Sequence, residues 1–286
     1  MSSSPVICPV CREPLQLEER TYRCSNGHSF DLAKEGYVNL LLSHQRKSKN
    51  PGDDKAMIQA RRRFFDSGAF DPLAKLIQHS TSHVPHSTIL DCGCGEGHFL
   101  GALSGARFGV DVSKEAIRCA AKRYKEATWI VANGMRELPF SDESMDVILS
   151  VLAPRNIEEF ARILKPDGQL ILGVPGPNHL IELRSQLTNH ASDFEEKADE
   201  AVKKCAPQFE ETNRESLRFP QLVNCEQIAD LIQMTPIFWN SSPEAKEKVR
   251  QLDELTVTVS FALLSLTKQR ESPWMEKPSH GWMALS

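Results

Sequence analysis

The sequence predicts an α/β fold, in which a mostly parallel sheet carries helices on both faces and follows a small metal-binding module. Three observations support this prediction. Residues 87–175 alternate short apolar runs with helical patterns, which is the order of a β-α-β series. A glycine-rich loop, DCGCGEG at 91–97, follows the first apolar run. Four potential metal ligands lie close together near the N-terminus.

The composition is that of an ordinary water-soluble chain of one or two domains. Its 286 residues are 40% hydrophobic and 25% charged, which is enough to build a core. No run approaches the roughly 18 apolar residues of a membrane span, and the start MSSSPVICPV has no signal-peptide pattern. We therefore expect a cytoplasmic protein with no membrane partner. The formal charge of -4 argues against a generally basic, nucleic-acid-coating surface.

The N-terminal module has the spacing of a zinc site. Cys8 and Cys11 form a C-x2-C pair, and Cys24 and His28 form a C-x3-H pair. Two such pairs can close a tetrahedron around Zn2+, and four protein ligands leave no open position, so the site would be structural. His44 is a less favoured alternative for the fourth ligand. Because about 30 residues cannot build a core, metal binding would supply the folding free energy of this zinc ribbon.

The glycine loop predicts a nucleoside site at the end of the first strand. Its form, D-x-G-x-G-x-G, differs from the G-x-G-x-x-G of dinucleotide loops, which disfavours an NAD-type oxidoreductase and fits S-adenosylmethionine (SAM). The second strand ends in Asp111, which suits ribose hydroxyls, and the third ends in Asn133, which suits the adenine edge. Ser113 is the expected N-cap of the helix between them. The predicted cofactor residues here are Asp91, Gly93, Cys94, Gly95, Glu96, Gly97, His98, Asp111, Val112, Asn133 and Gly134.

These features predict a class I, Rossmann-like methyltransferase domain with a seven-stranded, mostly parallel sheet. The methyl group of a sulfonium is already activated, so the enzyme mainly positions the acceptor and excludes water. The fourth strand, from Asp146, lacks the D/N-P-P-Y/F/W motif for exocyclic amino nitrogens, and no Pro-Cys or Thr-Cys pair is present for cytosine C5. A ring nitrogen or a small-molecule oxygen is left as the methyl acceptor.

Positive charge is concentrated at residues 44–63, where seven Lys or Arg residues accompany two Asp residues. Phosphate is the expected partner of such a segment. The three arginines are predicted to open a helix, and the two lysines lie on the preceding Pro/Gly loop, which together would form a cationic wall beside the cleft. The predicted substrate-binding residues are Lys47, Lys49, Arg61, Arg62 and Arg63.

The chain resembles the RlmA-type 23S rRNA guanine-N1 methyltransferases, which join an N-terminal zinc ribbon to a class I methyltransferase domain. The matching stretches run almost from end to end, and the glycine loop among them is shared with every class I enzyme. They include KEGYVNLL at 34–41, PGD at 51–53, QARRRFFDSG from 59, PGPNHLIEL from 175 and MTPIFW from 234. Of these, KEGYVNLL and PGPNHL are the specific ones.

The resemblance implies methyl transfer to N1 of a guanine in a hairpin loop of 23S rRNA, with the ribbon and the basic segment holding the RNA. The base must be unpaired or extruded to expose N1, and the N1 proton needs an acceptor. Asp146, Arg155 and Asn156 lie near the fourth strand, but Asp146 is favoured as a cap of the strand start, so no catalytic residue is assigned. The resemblance also implies that Phe70, where the family usually has Tyr, and His179 lie at the cofactor.

We expect a zinc-binding module at 1–34, a basic linker with the helices that lead out of it at 35–84, the methyltransferase domain at 85–268 and a disordered tail at 269–286. The alternating run TVTVSFALLSL at 256–266 predicts the last, antiparallel strand.

Two other classes of function stay open on the residues alone. One is a SAM-dependent methyltransferase of a small quinone or lipid intermediate, and the other is a non-catalytic zinc-ribbon RNA-binding protein. A homodimer is compatible with the sequence.

Overall fold

The computed structural model describes residues 4–45, 51–82, 87–187, 196–235 and 241–269. Lys47, Lys49 and the predicted disordered tail, apart from Gln269, lie outside the described residues. No helix within these ranges is both long and apolar enough to cross a bilayer.

The zinc ribbon is a small antiparallel sheet of three strands, β1 (Gln16–Glu18), β2 (Thr21–Arg23) and β3 (Ser29–Asp31), in the order β1-β2-β3. Most side chains of these strands are exposed, so the ribbon has little core of its own. Its buried residues, among them Val6 and Leu15, instead join a hydrophobic cluster that includes Phe140 of the main domain. The ribbon is therefore stabilised by docking as well as by its metal site.

The main sheet has the predicted, mostly parallel architecture. Its strand order is β10-β11-β9-β8-β5-β6-β7-β4, and all neighbours are parallel except that β11 runs antiparallel to both β9 and β10, as expected for the last strand. The strands are β4 (Tyr37–Asn39), β5 (Thr88–Cys92), β6 (Ala106–Asp111), β7 (Thr128–Val131), β8 (Met145–Val151), β9 (Leu164–Pro175), β10 (Phe209–Asn224) and β11 (Glu254–Lys268).

The sheet has eight strands instead of the predicted seven. The additional strand is β4, which lies in the segment expected to be a linker and pairs in parallel with β7, with Tyr37 opposite Trp129. Three residues are too few to display an alternating pattern, so this strand is fixed by its partner and not by its own sequence.

Helices follow the predicted alternation with the strands. The helix that carries the arginine triplet begins at Lys55, because the Asp54 side chain accepts a hydrogen bond from the Met57 N–H at 2.9 Å. The triplet therefore lies in the second half of this helix and does not open it. The helices are α1 (Lys55–Asp66), α2 (Asp71–Thr81), α3 (His98–Gly101), α4 (Lys114–Arg123), α5 (Ile157–Ile163), α6 (Ile181–Leu187), α7 (Lys197–Cys205), α8 (Cys225–Met234) and α9 (Pro243–Arg250).

Alternate strand residues enter two separate cores on the two faces of the sheet. Ile89 packs in the core beneath α1, α2, α4, α6, α8 and α9, whereas its neighbour Leu90 packs in the core beneath α5 and α7. The zinc ribbon also packs on this second face. It lies against the helix-free connection from β7 to β8, where the Ile7 N–H donates to the Pro139 carbonyl at 3.0 Å. The ribbon thus occupies a place that a crossover helix would otherwise cover.

Candidate functional site

A cavity of about 850 Å³ lies beyond the carboxyl ends of the parallel strands. The first strand of the series, β5, has β6 on one side and β8 on the other, so the strand order reverses there. Open α/β sheets bind ligands at such a reversal, and the volume suits a small molecule. Of the predicted cofactor residues, Gly97 lies outside the cavity lining. The lining includes Phe70, Asp91, Gly93, Cys94, Gly95, Glu96, His98, Asp111, Val112, Asn133, Gly134 and His179.

The glycine loop needs glycine for both backbone conformation and space. Gly93 and Gly97 have φ angles of 83° and 84°, in the left-handed region. A Cβ on Gly93 would lie 2.3 Å from the Cβ of Ala153, and a Cβ on Gly97 would lie 2.5 Å from the Trp129 ring. The loop therefore packs closely against both β7 and the segment after β8. The helix that follows, α3, has four residues, so it is shorter than the predicted helical run HFLGALS.

Asp111 joins the end of β6 to the glycine loop. One carboxylate oxygen accepts a hydrogen bond from the Gly95 N–H at 2.9 Å, and the other accepts from the Ser113 N–H at 2.8 Å. Burial raises the pKa of Asp111, while these two N–H donors lower it. Each oxygen can still accept a second hydrogen bond, as a ribose hydroxyl would require. The Ser113 hydroxyl accepts from the Ala116 N–H at 3.3 Å and so caps α4 as predicted.

Two buried carboxyl groups face the cavity with oxygen atoms that have no hydrogen-bond partner among the described residues. Asp91 and Glu96 are each 1% exposed, and the unpartnered atoms are Oδ2 of Asp91 and both oxygens of Glu96. Burial raises the pKa of each to about 7. Such groups favour a cationic ligand that carries hydrogen-bond donors. SAM has a sulfonium and an ammonium group, so the residues present fit this cofactor.

Aromatic rings form the wall of the cavity near Phe70. The Phe70 ring packs edge-on to Phe64 and Phe261, with centroids 5.1 and 5.2 Å away. His179 lies 4.5 Å from Phe261, and its Nδ1 accepts a hydrogen bond from the Ser260 N–H at 3.1 Å. Burial lowers the pKa of His179 to about 4, so its ring is neutral with the proton on Nε2. A neutral N–H donor and an apolar face are thus available on this wall.

His98 and Asn133 both line the cavity, His98 directly after the glycine loop and Asn133 just beyond the end of β7. His98 lies 4.5 Å from the Phe65 ring centroid, burial lowers its pKa, and its Nε2 has no partner within the described ranges. The Asn133 side chain donates to the Gln45 carbonyl at 3.1 Å and accepts from the Met135 N–H at 3.0 Å. One N–H and one lone pair of this amide stay available to a ligand.

The arginine triplet does not form one continuous wall. Arg61 lines the cavity and pairs with Asp53 at 2.6 Å, whereas Arg62 approaches Asp66 at 3.8 Å. Arg63 donates through Nε to Asp230 of α8 at 3.2 Å. Successive residues of a helix point about 100° apart, so three adjacent arginines meet three different neighbours. Their contact with RNA stays a prediction.

Sequence reasoning missed the segment 51–57 as part of the cavity. Gly52, Asp53 and Met57 line it, and the Ser113 hydroxyl donates to the Asp53 carbonyl at 2.8 Å. The only signal in the sequence was the PGD stretch, which has no chemistry of its own.

The three residues considered as proton acceptors are separated. Asp146 lies at the start of β8, at the opposite end of the strand from the cavity, and binds the Thr88 N–H and Lys165 at 2.8 and 2.7 Å. Asn156 caps α5 by accepting from the Glu159 N–H at 3.4 Å. Of the three, Arg155 lines the cavity.

The four predicted zinc ligands form one cluster, with their ligand atoms within 4.8 Å of one another. Nδ1 of His28 lies 3.6, 3.4 and 3.4 Å from the sulfur atoms of Cys8, Cys11 and Cys24, and the last two sulfurs are 3.7 Å apart. A zinc tetrahedron with bonds of about 2.3 Å to sulfur and 2.0–2.1 Å to nitrogen has edges of roughly 3.6–3.8 Å. The cluster fits Zn2+ with four protein ligands. His44 lies outside it, in a short 3-10 turn at Ser43–Gln45.

Fold, cavity and metal cluster define a class I SAM-dependent methyltransferase with a structural zinc ribbon. The family described as RlmA, N-terminal, a zinc ribbon, matches residues 6–49, and the methyltransferase domain family matches residues 90–172.

Relatives match almost the whole chain. It is 33% identical to the "23S rRNA (guanine(748)-N(1))-methyltransferase" of Streptomyces fradiae, over 90% of this chain and 95% of that relative. It is 34% identical, with the same coverage, to a Bacillus subtilis (strain 168) protein named "Putative 23S rRNA (guanine-N(1)-)-methyltransferase YxjB". A solved SAM-dependent methyltransferase from Thermotoga maritima matches 74% of this chain and all of its own, with a TM-score of 0.43 and 18% identity. The chain belongs to the RlmA-type 23S rRNA (guanine-N1)-methyltransferase family.

Proposed function

We propose that the protein transfers a methyl group from SAM to N1 of a guanine in a hairpin loop of 23S rRNA, in the cytoplasm. The observation that carries the proposal is a ligand cavity at the strand-order reversal, lined by buried carboxyls with oxygens that accept no hydrogen bond from the described residues. It occurs in a chain that matches relatives named for this reaction over 90% of its length.

Bound SAM supplies a methyl group that its sulfonium charge has already activated. In the proposed complex Asp111 holds the ribose hydroxyls, Asn133 binds the adenine edge, and Asp91 and Glu96 balance the positive charge. The aromatic wall at Phe70 keeps water away from the reacting atoms. The main tasks of the protein are then to hold the acceptor nitrogen in line and to keep the site dry.

Guanine N1 lies on the Watson–Crick edge, so the base must leave any pair before it can react. A hairpin loop lowers the free-energy cost of extrusion, because its bases are already unpaired or weakly stacked. The ribbon and residues 44–63, including Lys47, Lys49 and the arginine triplet, are proposed to bind the phosphates of the hairpin. The ribbon packs directly on the sheet that forms the cavity, which supports this division of work.

The test is transfer of labelled methyl to 23S rRNA from a strain that lacks the enzyme, followed by primer extension, which stops at an N1-methylated guanine. A single stop in one hairpin loop is the expected result. Cofactor binding without RNA labelling would favour a small-molecule methyltransferase. Absence of cofactor binding would favour a non-catalytic RNA-binding protein.

A further inference from the structure

Arg155 is a half-buried cation at the cavity that has no hydrogen-bond or ion-pair partner among the described residues. It lines the cavity in the loop 152–156, which follows β8. Its Nε is fully buried and has no hydrogen-bond partner, and no salt bridge reaches its guanidinium from the described residues. Arg61, Arg62 and Arg63, in contrast, each meet a carboxylate. A guanidinium held in this way is costly unless a ligand accepts its hydrogen bonds.

The loop holds Arg155 beside the cofactor residues. Ala153 packs on Gly93, whose position leaves no room for a Cβ. The Leu152 N–H donates to the Gly173 carbonyl at 2.9 Å, and Asn156 caps α5. Arg155 is therefore anchored on both sides, so its position relative to the glycine loop is set by packing.

The cavity mouth next to Arg155 is apolar. Leu152 and Met135 both line the cavity, yet their relative exposures are 47% and 49%. Leu152 also has a φ angle of 55°, a left-handed conformation that a leucine rarely adopts. Strained residues of this kind concentrate at functional sites. An apolar rim suits the face of a nucleobase better than a hydrated phosphate.

Guanine offers the acceptors that a guanidinium reads best. O6 and N7 lie on one edge of the base, and arginine binds this pair through two parallel hydrogen bonds. That contact leaves N1, on the Watson–Crick edge, open to the methyl group. Adenine presents an amino group in place of O6, which would set donor against donor.

We propose that Arg155 reads the extruded guanine by donating to O6 and N7, and that it stabilises the negative charge on O6 as N1 loses its proton. This inference rests on the proposed function. At the exposed cavity mouth, N1 gives its proton to solvent hydroxide, which becomes water. The N1 electron pair then forms the bond to the methyl carbon, and the bond from that carbon to sulfur breaks with its electrons left on sulfur.

The test is a cycle that pairs Arg155→Met with an RNA hairpin carrying 7-deazaguanine at the target, which lacks the N7 acceptor. Arg155→Met should lower kcat/KM on the normal hairpin by about 10- to 100-fold. The 7-deaza change should cost the wild-type enzyme about tenfold and cost the variant almost nothing. Arg136→Met is the matched control, because Arg136 is exposed and lies outside the cavity lining.

A pH profile separates this role from a merely structural one. Without a positive charge near O6, N1 of the bound guanine loses its proton at higher pH. The pH range in which the rate rises should therefore move to higher pH in Arg155→Met and stay in place in Arg155→Lys. SAM binding at the wild-type level, measured by calorimetry, shows that the variants are folded. If Arg155→Met does not fold, the cycle is measured with Arg155→Lys.

Two results overturn the assignment of Arg155 while leaving the proposed function intact. One is a 7-deaza penalty of equal size in wild type and variant, with N1 still methylated by the wild type. The other is a weaker salt dependence of RNA binding in Arg155→Met without any coupling to N7, which would indicate a phosphate contact. If the wild type methylates no guanine N1, the assignment and the proposed function fail together.

Discussion

The zinc ribbon and the glycine-loop cavity both bring polar side chains close together, but the free energy of folding depends on them in opposite ways. The four ligand atoms of the ribbon are arranged to share one ion, and the ribbon has few buried side chains of its own. In the cavity, Asp91 and Glu96 are buried with carboxyl oxygens that accept no hydrogen bond from the described residues, although Arg123 lies 3.9 Å from Glu96. The hydrophobic cores on both faces of the sheet must offset the free-energy cost of burying them. The functional residues of the ribbon stabilise its fold when they bind the metal, whereas the buried carboxyls of the cavity destabilise the domain that contains them.

The largest expected effect breaks the ribbon alone. Cys8→Ala with Cys11→Ala removes two of four ligands, so the metal is lost, and structural zinc contributes on the order of 10 kcal/mol to small modules. Metal analysis and amide exchange should show loss of zinc and of protection in residues 4–34, while SAM still binds. Cys225→Ser is the matched control, because Cys225 is an exposed free cysteine outside the cluster. Loss of SAM binding together with zinc would show that the two regions are not separable.

The next largest effect should fall on the cavity alone. Asp111→Asn removes the charge from a carboxylate that accepts two backbone N–H groups. Hydrogen bonds to a charged group contribute roughly 1.5–3 kcal/mol, so SAM affinity measured by calorimetry should fall by about 10- to 100-fold. Zinc content should not change. Asp253→Asn, on an exposed carboxylate, should bind SAM as the wild type does, and equal affinity in both variants would contradict the role of Asp111.

A smaller effect should reveal the free-energy cost of burying Asp91, whose Oδ2 has no hydrogen-bond partner in the part of the chain that the structure describes. The pKa of Asp91 is raised from 3.8 to about 7, so the folded state binds more protons than the unfolded state between these values. The destabilisation by Asp91 therefore grows as pH rises through this window and is complete above it.

Without cofactor, the free energy of unfolding of Asp91→Asn, minus that of wild type, should increase by about 2 kcal/mol between pH 5 and pH 8. Taking the difference cancels His98 and His179, whose lowered pKa values act with the opposite sign. Urea unfolding at four pH values measures it. A difference that is flat with pH would mean that Asp91 is solvated or paired.

The smallest expected effect concerns the ion pair that joins Arg63 of α1 to Asp230 of α8. Arg63 is largely exposed and Asp230 is nearly buried, so Arg63→Ala should cost about 1 kcal/mol of stability. Arg62→Ala is the control, since its contact with Asp66 is long and both side chains are solvated. A double-mutant cycle of Arg63→Ala with Asp230→Asn isolates the interaction free energy of the pair. A larger RNA-binding defect in Arg62→Ala than in Arg63→Ala would indicate that the less constrained arginine is the one that meets phosphate.

The sequence predicted the zinc ligands and the cavity residues for different reasons. The ligands are close in sequence, so their spacing alone brings them together. The cavity residues are far apart in sequence, but each lies at the end of a parallel strand, and all such ends meet at one edge of the sheet. Asp91, Asp111 and Asn133 were therefore predictable without any contact being known.

What the sequence did not reveal depends on packing between distant segments. Strand β4 is defined by its pairing with β7, and residues 51–57 reach the cavity because Ser113 binds the Asp53 carbonyl. The arginine triplet lies in the second half of its helix because of where the helix begins, which the Asp54 cap decides. Neither hydrophobic periodicity nor composition predicts these contacts between distant segments.

Strand β4 has a consequence for how the enzyme would measure its substrate. The ribbon is followed directly by a strand hydrogen-bonded into the catalytic sheet, and the Gln45 carbonyl just beyond it binds Asn133 in the cavity. The chain between the four zinc-ligand residues and the cavity therefore holds the two at a fixed distance and does not act as a flexible linker. An RNA hairpin that contacted both the ribbon and the cavity would have to place its guanine at a fixed distance from the surface bound by the ribbon. Stem length would then select the substrate along with base identity.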